Sequence, residues 1–303
     1  MEKSHLQIFV EDFTQSILSV LKILLFSKFS IKLPKAQQKD CVILGNGPSL
    51  NDFINESSSF IENKALFCVN FFARTDYYEQ VKPQYYIITS PEYFVGEKKE
   101  DWTEDRLKTF QLIAEKTSWP LEFNAPRLAK KSTAWREILS ANKNITIRYF
   151  NNTPIEGFRS LKHWAFKNNL GMPRPHNVLI PSILLGINMN FENIYITGAD
   201  HSWTKELFVT EGNEVLLSQK HFYDKQAESE AIGKNKNTPQ PMYKGGSRDK
   251  RKLHEVLMKF VYSFKSYWEL QEYAQSSNVK IHNITPGSFI DAFPRLNLND
   301  HDK

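Results

Sequence analysis

The apolar run Cys41-Val-Ile-Leu44 stops abruptly at Gly45-Asn46-Gly47-Pro48-Ser49-Leu50. An apolar strand closed by two glycines, then a proline suited to the first helical position and a helix-compatible stretch, predicts a strand-loop-helix turn in an α/β sheet. Such a turn suits an anion. Missing Cβ atoms let the backbone approach closely, and the amides at the following helix start point toward it with the positive end of the helix dipole. Gly45, Asn46, Gly47, Pro48 and Ser49 are therefore candidate nucleotide-binding residues. The loop is not a Walker A sequence, since no Gly-Lys-Ser/Thr follows, and Leu50 stands where a dinucleotide fingerprint has its third glycine. A tight βα turn that binds nothing satisfies the same residues.

Downstream, strand-like and helix-like segments alternate. Strands are predicted at Cys41–Leu44, Ala65–Asn70, Tyr85–Thr89, Ile145–Phe150, Asn193–Thr197 and Val279–Ile284, with helices at Asn177–Gly186 and Asp249–Ala274 among others. This pattern predicts an α/β fold with a doubly wound, mostly parallel sheet, Rossmann-like in plan, that takes ligands at the carboxyl ends of its strands. Polar residues gather there: Asn46 and Gly47 after the first strand, Asn70 at the end of the second, Thr89 and Ser90 after the third, and Asp200-His201 after the fifth of these. The chain divides into an N-terminal helix, 1–35, and one nucleotide-binding catalytic domain, 40–303, with insertions near 93–143 and 202–247. The first insertion reads as helical elaboration that, with 160–169, forms a smaller lid. The second is polar and turn-rich and reads as a long functional loop.

A chain of 303 residues that is 41% apolar buries a full core, and a net charge of +5 is too mild to mark a nucleic-acid binder. The densest basic group, Lys250-Arg251-Lys252, is explained by a solvated helix start. Cys41 and Cys68 both lie in apolar runs and read as buried thiols in a reducing compartment, with neither a disulfide framework nor zinc-ligand spacing.

The first thirty-five residues are different. Leu6, Phe9, Val10, Phe13, Ile17, Leu21, Leu24 and Leu25 recur at helical spacing, with Glu11, Gln15, Ser19 and Lys22 largely on the other side. The run from Ile17 to Phe26 is too short for a span, and no small-residue cleavage site follows, so a cleaved leader is not expected. Lys22, Lys28, Lys32, Lys35 and Lys39 follow or flank the apolar face. Residues 6–32 suit an in-plane helix on an anionic inner leaflet, and equally a helix packed on its own domain or on a second copy in a homo-oligomer. The expected location is cytoplasmic, with peripheral contact at the inner face of the plasma membrane as the open alternative.

Several residues could carry chemistry. Asp200-His201 puts a carboxylate and an imidazole at the end of a strand, well placed for proton transfer, although neighbours on an extended chain point to opposite sides. His221, in His221-Phe-Tyr-Asp224 of the second insertion, could act from a lid. Arg174, held between two prolines ahead of a helix that Asn177 or His176 would cap, suits a carboxylate or phosphate. Each has a bland alternative: a turn aspartate, a solvated histidine, a surface cation. There is no G-x-S-x-G elbow and no H-E-x-x-H, and the only Asp-x-Asp, Asp300-His-Asp302, is at the extreme C-terminus, so the sequence offers no metal site.

Val42-Ile-Leu-Gly-Asn-Gly-Pro-Ser-Leu50, Cys68-Val-Asn70-Phe, Gly198-Ala-Asp200 and Pro286-Gly-Ser288-Phe-Ile-Asp-Ala-Phe293 resemble, in order across residues 41–293, the bacterial CMP-sialic-acid-dependent sialyltransferases of lipooligosaccharide synthesis. The first motif, with Lys82-Pro83-x-Tyr85-Tyr86 downstream, is also similar to uncharacterised proteins related to archaeal hydroxymethylpterin diphosphokinases. The first resemblance implies a metal-independent transferase with no cofactor. It would move a CMP-linked acidic sugar to a glycan or glycolipid acceptor, with Asn46, Gly47, Pro48 and Ser49 at the donor's phosphate and ribose, Asn70 at the nucleotide, and Arg174 and Asn177 at phosphate and sugar. The chain departs from that family in one respect: Tyr243-Lys-Gly-Gly-Ser-Arg248 stands where the family has its base histidine. The role then falls to His201, at the rigid end of a strand, ahead of His221. The second resemblance implies diphosphate transfer from ATP with magnesium. A third reading is a membrane-bound assembly protein that binds a nucleotide without turning it over.

Overall fold

The structure is a computed structural model that describes residues 3–94, 104–218, 220–222, 239–244 and 249–298. Among these residues the strands are β1 (Asp40–Leu44), β2 (Ala65–Val69), β3 (Tyr85–Ile87), β4 (Leu121–Pro126), β5 (Ile145–Phe150), β6 (Asn193–Thr197), β7 (Leu207–Val209), β8 (Val215–Leu217), β9 (Gln240–Pro241) and β10 (Lys280–Asn283). The helices are α1 (His5–Phe26), α2 (Leu50–Glu56), α3 (Tyr77–Val81), α4 (Glu104–Lys116), α5 (Ala134–Ser140), α6 (Arg159–Lys167), α7 (Leu179–Asn188) and α8 (Leu253–Ser276).

Seven strands form one parallel sheet in the order β10-β6-β1-β2-β3-β4-β5. Both faces are covered, which is why β1 and β2 are apolar nearly throughout rather than alternating. Cys41 and Ile43 of β1 join the core under α7 and α8, whereas Val42 and Leu44 join the core under α2 to α5. The chain winds outward from β1 to β5 and then returns to place β6 on the other side of β1. That reversal opens a crevice at the carboxyl ends of β1 and β6, where a doubly wound sheet takes its ligand. Leu44 pairs with Cys68 on one side and Thr197 on the other, so Gly45, Asn70 and Gly198 leave the sheet side by side.

Two regions differ from the expectation. Residues 93–143 are not a lid: they contain β4, which pairs with β3 and β5, and α4 and α5, which bury Phe110, Ile113, Trp135 and Leu139 against the sheet. Polar Glu122 and Asn124 and the terminal Pro126 hide β4 from a reading by apolar runs. The second insertion is not structureless. β7, β8 and β9 form a small antiparallel sheet, turning at Asn213 (φ 59°), and cover Val256 and Phe260 of α8 with Leu217, Trp203 and Met242. Tyr223 and Asp224, and Gly245 to Arg248 of the Tyr243–Arg248 segment, lie outside the described residues.

The N-terminal helix α1 starts in a capping box formed by Ser4 and Gln7 and docks on its own domain through Ser16, Ser19 and Ile23. No helix of the described residues is long and apolar enough to cross a membrane. Cys41 and Cys68 are both buried free thiols, and burial pushes both up from the usual range.

Candidate functional site

The glycine turn is packed against its own protein. The N–H of Gly45 donates to Thr197 O (2.8 Å), that of Gly47 to Gly198 O (2.7 Å), and that of Leu50 to Gly47 O (3.1 Å). A Cβ on Gly45 would lie 2.5 Å from Gly198 O, and one on Gly47 would lie 1.9 Å from Asp200 Oδ2 and 2.7 Å from Gly198 O. Asp200 takes the anion's place: its carboxylate accepts the Ser49 hydroxyl at 2.9 Å and the Ser49 amide. Burial raises the Asp200 carboxyl above its ordinary range, and the two Ser49 hydrogen bonds pull it part of the way back. This corrects the expectation that the amides of Gly45, Gly47 and Ser49 cradle a phosphate. The glycines serve a close approach between the β1 and β6 turns, and Pro48 is exposed beside them.

The Gly198–Asp200 turn is braced from behind by the Pro286-Gly-Ser288 segment. Ser288 Oγ donates to Ala199 O (2.6 Å) and accepts from Asn283 Nδ2 (3.0 Å) and the Ile290 amide (3.2 Å). Thr285 Oγ1 accepts the Ala199 amide, and the Phe289 amide donates to Asp200 O.

In front of the turn the side chains are differently disposed. Asn46 Nδ2 donates to Val69 O at 3.1 Å, which fixes the amide between the ends of β1 and β2 and leaves Oδ1 turned away from that bond. Asn70, in a left-handed conformation (φ 51°), is held by Tyr86, whose hydroxyl donates to Asn70 O at 2.6 Å. Asn46 Oδ1, Asn70 Oδ1 and Thr197 Oγ1 are all buried and have no hydrogen-bond partner among the described residues. A buried polar atom without a partner is costly, so the two asparagine oxygens call for a donor from water or from a ligand, whereas Thr197 is fully enclosed and its hydroxyl can itself donate. Thr89 is buried and Ser90 half-buried at the end of β3.

A strap crosses this edge. The Phe222 amide donates to Asn46 O (3.1 Å), Asn51 Nδ2 donates to Phe222 O (2.7 Å), and the buried Phe222 ring packs against Phe72 and Tyr77. The insertion therefore folds back over the strand ends, and His221 is carried to the residue next to that of the Asn46 contact.

His201 is differently employed. It sits in a left-handed conformation (φ 52°) with its ring 4.1 Å from that of Trp203, and its Nε2 is 2.7 Å from the hydroxyl of the fully buried Tyr267. Asn177 Oδ1 accepts from the Leu179 amide and from Tyr267, both at 2.9 Å. Tyr267 thus spends its proton on Asn177, and its oxygen accepts the Nε2 proton of His201, which fixes the imidazole tautomer. Burial pushes His201 down to about 3 and raises Tyr267. The expectation that His201 is the general base is corrected on two counts: so low a proton affinity suits a neutral donor, and one ring nitrogen is already committed. The product of the relay is Asn177 Nδ2, a buried N–H donor held in place with no partner among the described residues.

Arg174 is not free for a phosphate. Nε and Nη2 grip Glu156 at 2.8 and 2.7 Å, and the guanidinium lies 4.7 Å from the centre of the Tyr262 ring. Burial alone would raise Glu156, but the Arg174 hydrogen bonds and charge outweigh it and hold the carboxyl low. Glu156 is also tied through its backbone to Ser19 of α1, so Arg174 serves the docking of that helix. Tyr267 and Trp203 were not foreseen: both sit in apolar helical or turn patterns that read as core, and only the fold brings them to His201.

Fold and site together define a doubly wound α/β protein with a polar crevice at the topological switch point. No protein-family model and no curated protein matches the chain. Among solved structures it is similar to a MAf glycosyltransferase from Magnetospirillum magneticum AMB-1, at 10% identity and a TM-score of 0.48, over 96% of this chain and 39% of that one. The chain thus spans well under half the length of that protein, and a likeness at this level assigns no activity.

Proposed function

We propose that the chain is a glycosyltransferase that moves a sugar from a nucleotide donor, a CMP-linked acidic sugar first, to a hydroxyl of a surface glycan or glycolipid. The observation that carries this reading is the pair of buried side-chain oxygens at the adjoining ends of β1 and β2, Asn46 Oδ1, whose amide is fixed by Val69 O, and Asn70 Oδ1. Acceptors of this kind ask for hydroxyl or amino donors, which a ribose, a sugar and a cytosine ring all carry. The sequence resemblance through Val42–Leu50, Cys68–Asn70 and Gly198–Asp200 supports the same assignment. Asn177 Nδ2, a fixed donor, would meet an acidic oxygen of the donor, and Thr89 and Ser90 would line the crevice beyond Asn70.

In the transfer itself the acceptor hydroxyl gives its proton to a base as its oxygen bonds to the anomeric carbon. The bond from that carbon to the phosphate oxygen breaks, and the electron pair leaves with the nucleoside monophosphate. His221 takes the role of base in this scheme, because the strap carries it to the crevice while His201 is committed to Tyr267.

A thermal-shift screen of CMP, cytidine, UDP, GDP, ADP and ATP, with and without magnesium, tests the proposal. A ligand at a hundred times its Kd stabilises the fold by about 2.7 kcal/mol. CMP should raise the midpoint without magnesium, and Asn46→Ala and Asn70→Ala should each abolish that shift, with the unliganded fold weakened by only about 1 kcal/mol, for the lost Val69 bond in the first and the left-handed backbone in the second. A shift confined to ATP with magnesium would replace the proposal with diphosphate transfer, and no shift with any nucleotide would refute it.

A further inference from the structure

Helix α1 is polar side in. Ser16 Oγ accepts the Phe158 amide at 2.9 Å, and Ser19 Oγ accepts the Glu156 amide at 2.8 Å while donating to Glu156 O at 2.9 Å. Gly157 (φ 99°) is required at that contact, because a Cβ there would lie 2.2 Å from Ser16 Oγ. Lys22 reaches Glu156 at 3.6 Å. These specific bonds fix which way the helix is rotated, and they turn its apolar side outward. Leu6, Val10, Phe13, Ile17, Leu21 and Leu24 form one outward stripe, all exposed, with Leu24 at 64% and its neighbour Leu25 at 71%. A soluble helix normally does the reverse, and an exposed apolar band along a helix of this length marks a contact surface.

The charge around the stripe identifies its partner. Arg127 Nη2 donates to Phe26 O at 2.9 Å, which brings the turn Arg127–Lys131 beside the end of α1. Exposed Phe29 and Leu128 extend the apolar surface there, and Lys28, Lys32, Lys130 and Lys131, all exposed, stand around them. None of these four lysines has an ion-pair partner among the described residues. A second copy of the chain would present the same lysines, whereas an anionic lipid surface supplies the opposite charge and an apolar layer at matching depth.

We infer that α1 and the Arg127–Lys131 turn form a peripheral membrane-docking surface that seats the protein on an anionic bilayer, with the helix lying in the plane of the interface. The helix keeps its serine contacts to the domain when it docks, so the domain is held at the membrane in one orientation rather than tethered loosely. This inference does not depend on the proposed chemistry, and its test uses no nucleotide.

Full-length protein should float with vesicles of phosphatidylcholine mixed with phosphatidylglycerol at about 0.05 M salt and largely dissociate at about 0.5 M. It should bind pure phosphatidylcholine vesicles far more weakly. Phe13→Gln/Ile17→Gln/Leu21→Gln should lose at least about tenfold in vesicle affinity with a circular-dichroism melt that shifts little, because all three side chains are about half exposed and none bonds to the domain. Lys28→Gln/Lys32→Gln/Lys130→Gln/Lys131→Gln provides an independent arm: about fivefold per charge near the surface amounts to several hundredfold. Three results would overturn the inference: no flotation with the mixed vesicles at low salt, equal binding to neutral vesicles, or a dimer in solution that the apolar triple variant dissociates and that excludes vesicles.

Discussion

Placing a methyl group on Gly47 separates the two accounts of the glycine turn. A Cβ at that position would lie 1.9 Å from Asp200 Oδ2, so the carboxylate must retreat by about 1.5 Å to reach the 3.4 Å of ordinary contact. The 2.9 Å bond from the Ser49 hydroxyl does not survive that movement, nor does the bond from the Ser49 amide. Hydrogen bonds to a charged group are worth about 1.5–3 kcal/mol each, and water recovers part of the loss. Gly198 O, at 2.7 Å, is backbone held by the sheet and adds overpacking strain of about 1–3 kcal/mol. Gly47→Ala should therefore cost about 3–5 kcal/mol, read from urea unfolding followed by tryptophan fluorescence. Gly287→Ala is the control. Its φ of 62° is left-handed, as that of Gly47 is not, but nothing lies within 4 Å of the new atom, so only the backbone cost of about 1 kcal/mol should appear. Asp200→Ala removes the obstacle, and in that background Gly47→Ala should cost at least about 1.5 kcal/mol less than it does alone. If Gly47→Ala unfolds at the wild-type urea concentration yet no longer binds nucleotide, the turn is an anion cradle after all and the packing argument fails. Strict additivity with Asp200→Ala would refute the contact itself.

Other outcomes follow from the same contacts. His201 has a folded pKa of about 3 against an ordinary 6.5, so below pH 6.5 the unfolded chain binds a proton that the folded one refuses; stability should fall by a few kcal/mol as pH drops from 6.5 toward 3, and His201→Gln should flatten that limb of a pH–stability profile. Tyr267→Phe strands the His201 Nε2 proton and releases Asn177, so urea unfolding should show a loss of about 1–3 kcal/mol, and nucleotide affinity measured calorimetrically should weaken with it. Arg174→Ala should cost only about 1–2 kcal/mol, because the guanidinium side chain is 37% exposed and water screens the pair; CMP affinity should be unchanged in the same calorimetric titration. Ser288→Ala leaves Ala199 O and two donors short of a partner and should destabilise by about 2–3 kcal/mol in thermal unfolding, more than its size suggests.

The sheet was legible where its strands are apolar runs. Cys41–Leu44 and Ala65–Val69 are buried on both faces, and Asn193–Thr197 buries Ile194, Ile196 and Thr197 with Asn193 and Tyr195 half-buried; such strands announce themselves by composition. β4 escaped because Glu122 and Asn124 interrupt it, with Glu122 paired to Arg148 of the neighbouring strand. The strands of the small sheet are too short to carry a period. The direction of α1 was also written in the sequence as an apolar stripe, but which side it docks by was not. That depends on the amides of Glu156 and Phe158, which a distant loop aims at Ser16 and Ser19.

The glycine turn was legible as a close approach to the backbone and misleading in role, for a reason that lies in what glycine reports. A pair of glycines at a strand end records that something approaches the backbone closely; it does not record whether that something is a phosphate or part of the same chain. Here the approaching groups are Gly198 O and the Asp200 carboxylate, some 150 residues downstream of Gly47, and only the pairing of β6 with β1 brings them there. Asn46 escapes this ambiguity. Its Nδ2 is consumed by Val69 O, so its buried Oδ1 has a fixed direction and an unmet requirement for a donor; Asn70 Oδ1 is likewise buried without a partner among the described residues. Unmet hydrogen-bonding capacity at a strand end, rather than the glycine pattern, is what separates a binding crevice from a tight turn. On the proposed function, a crevice whose glycine turn is filled by Asp200 still offers its asparagines to the hydroxyl groups of a ligand.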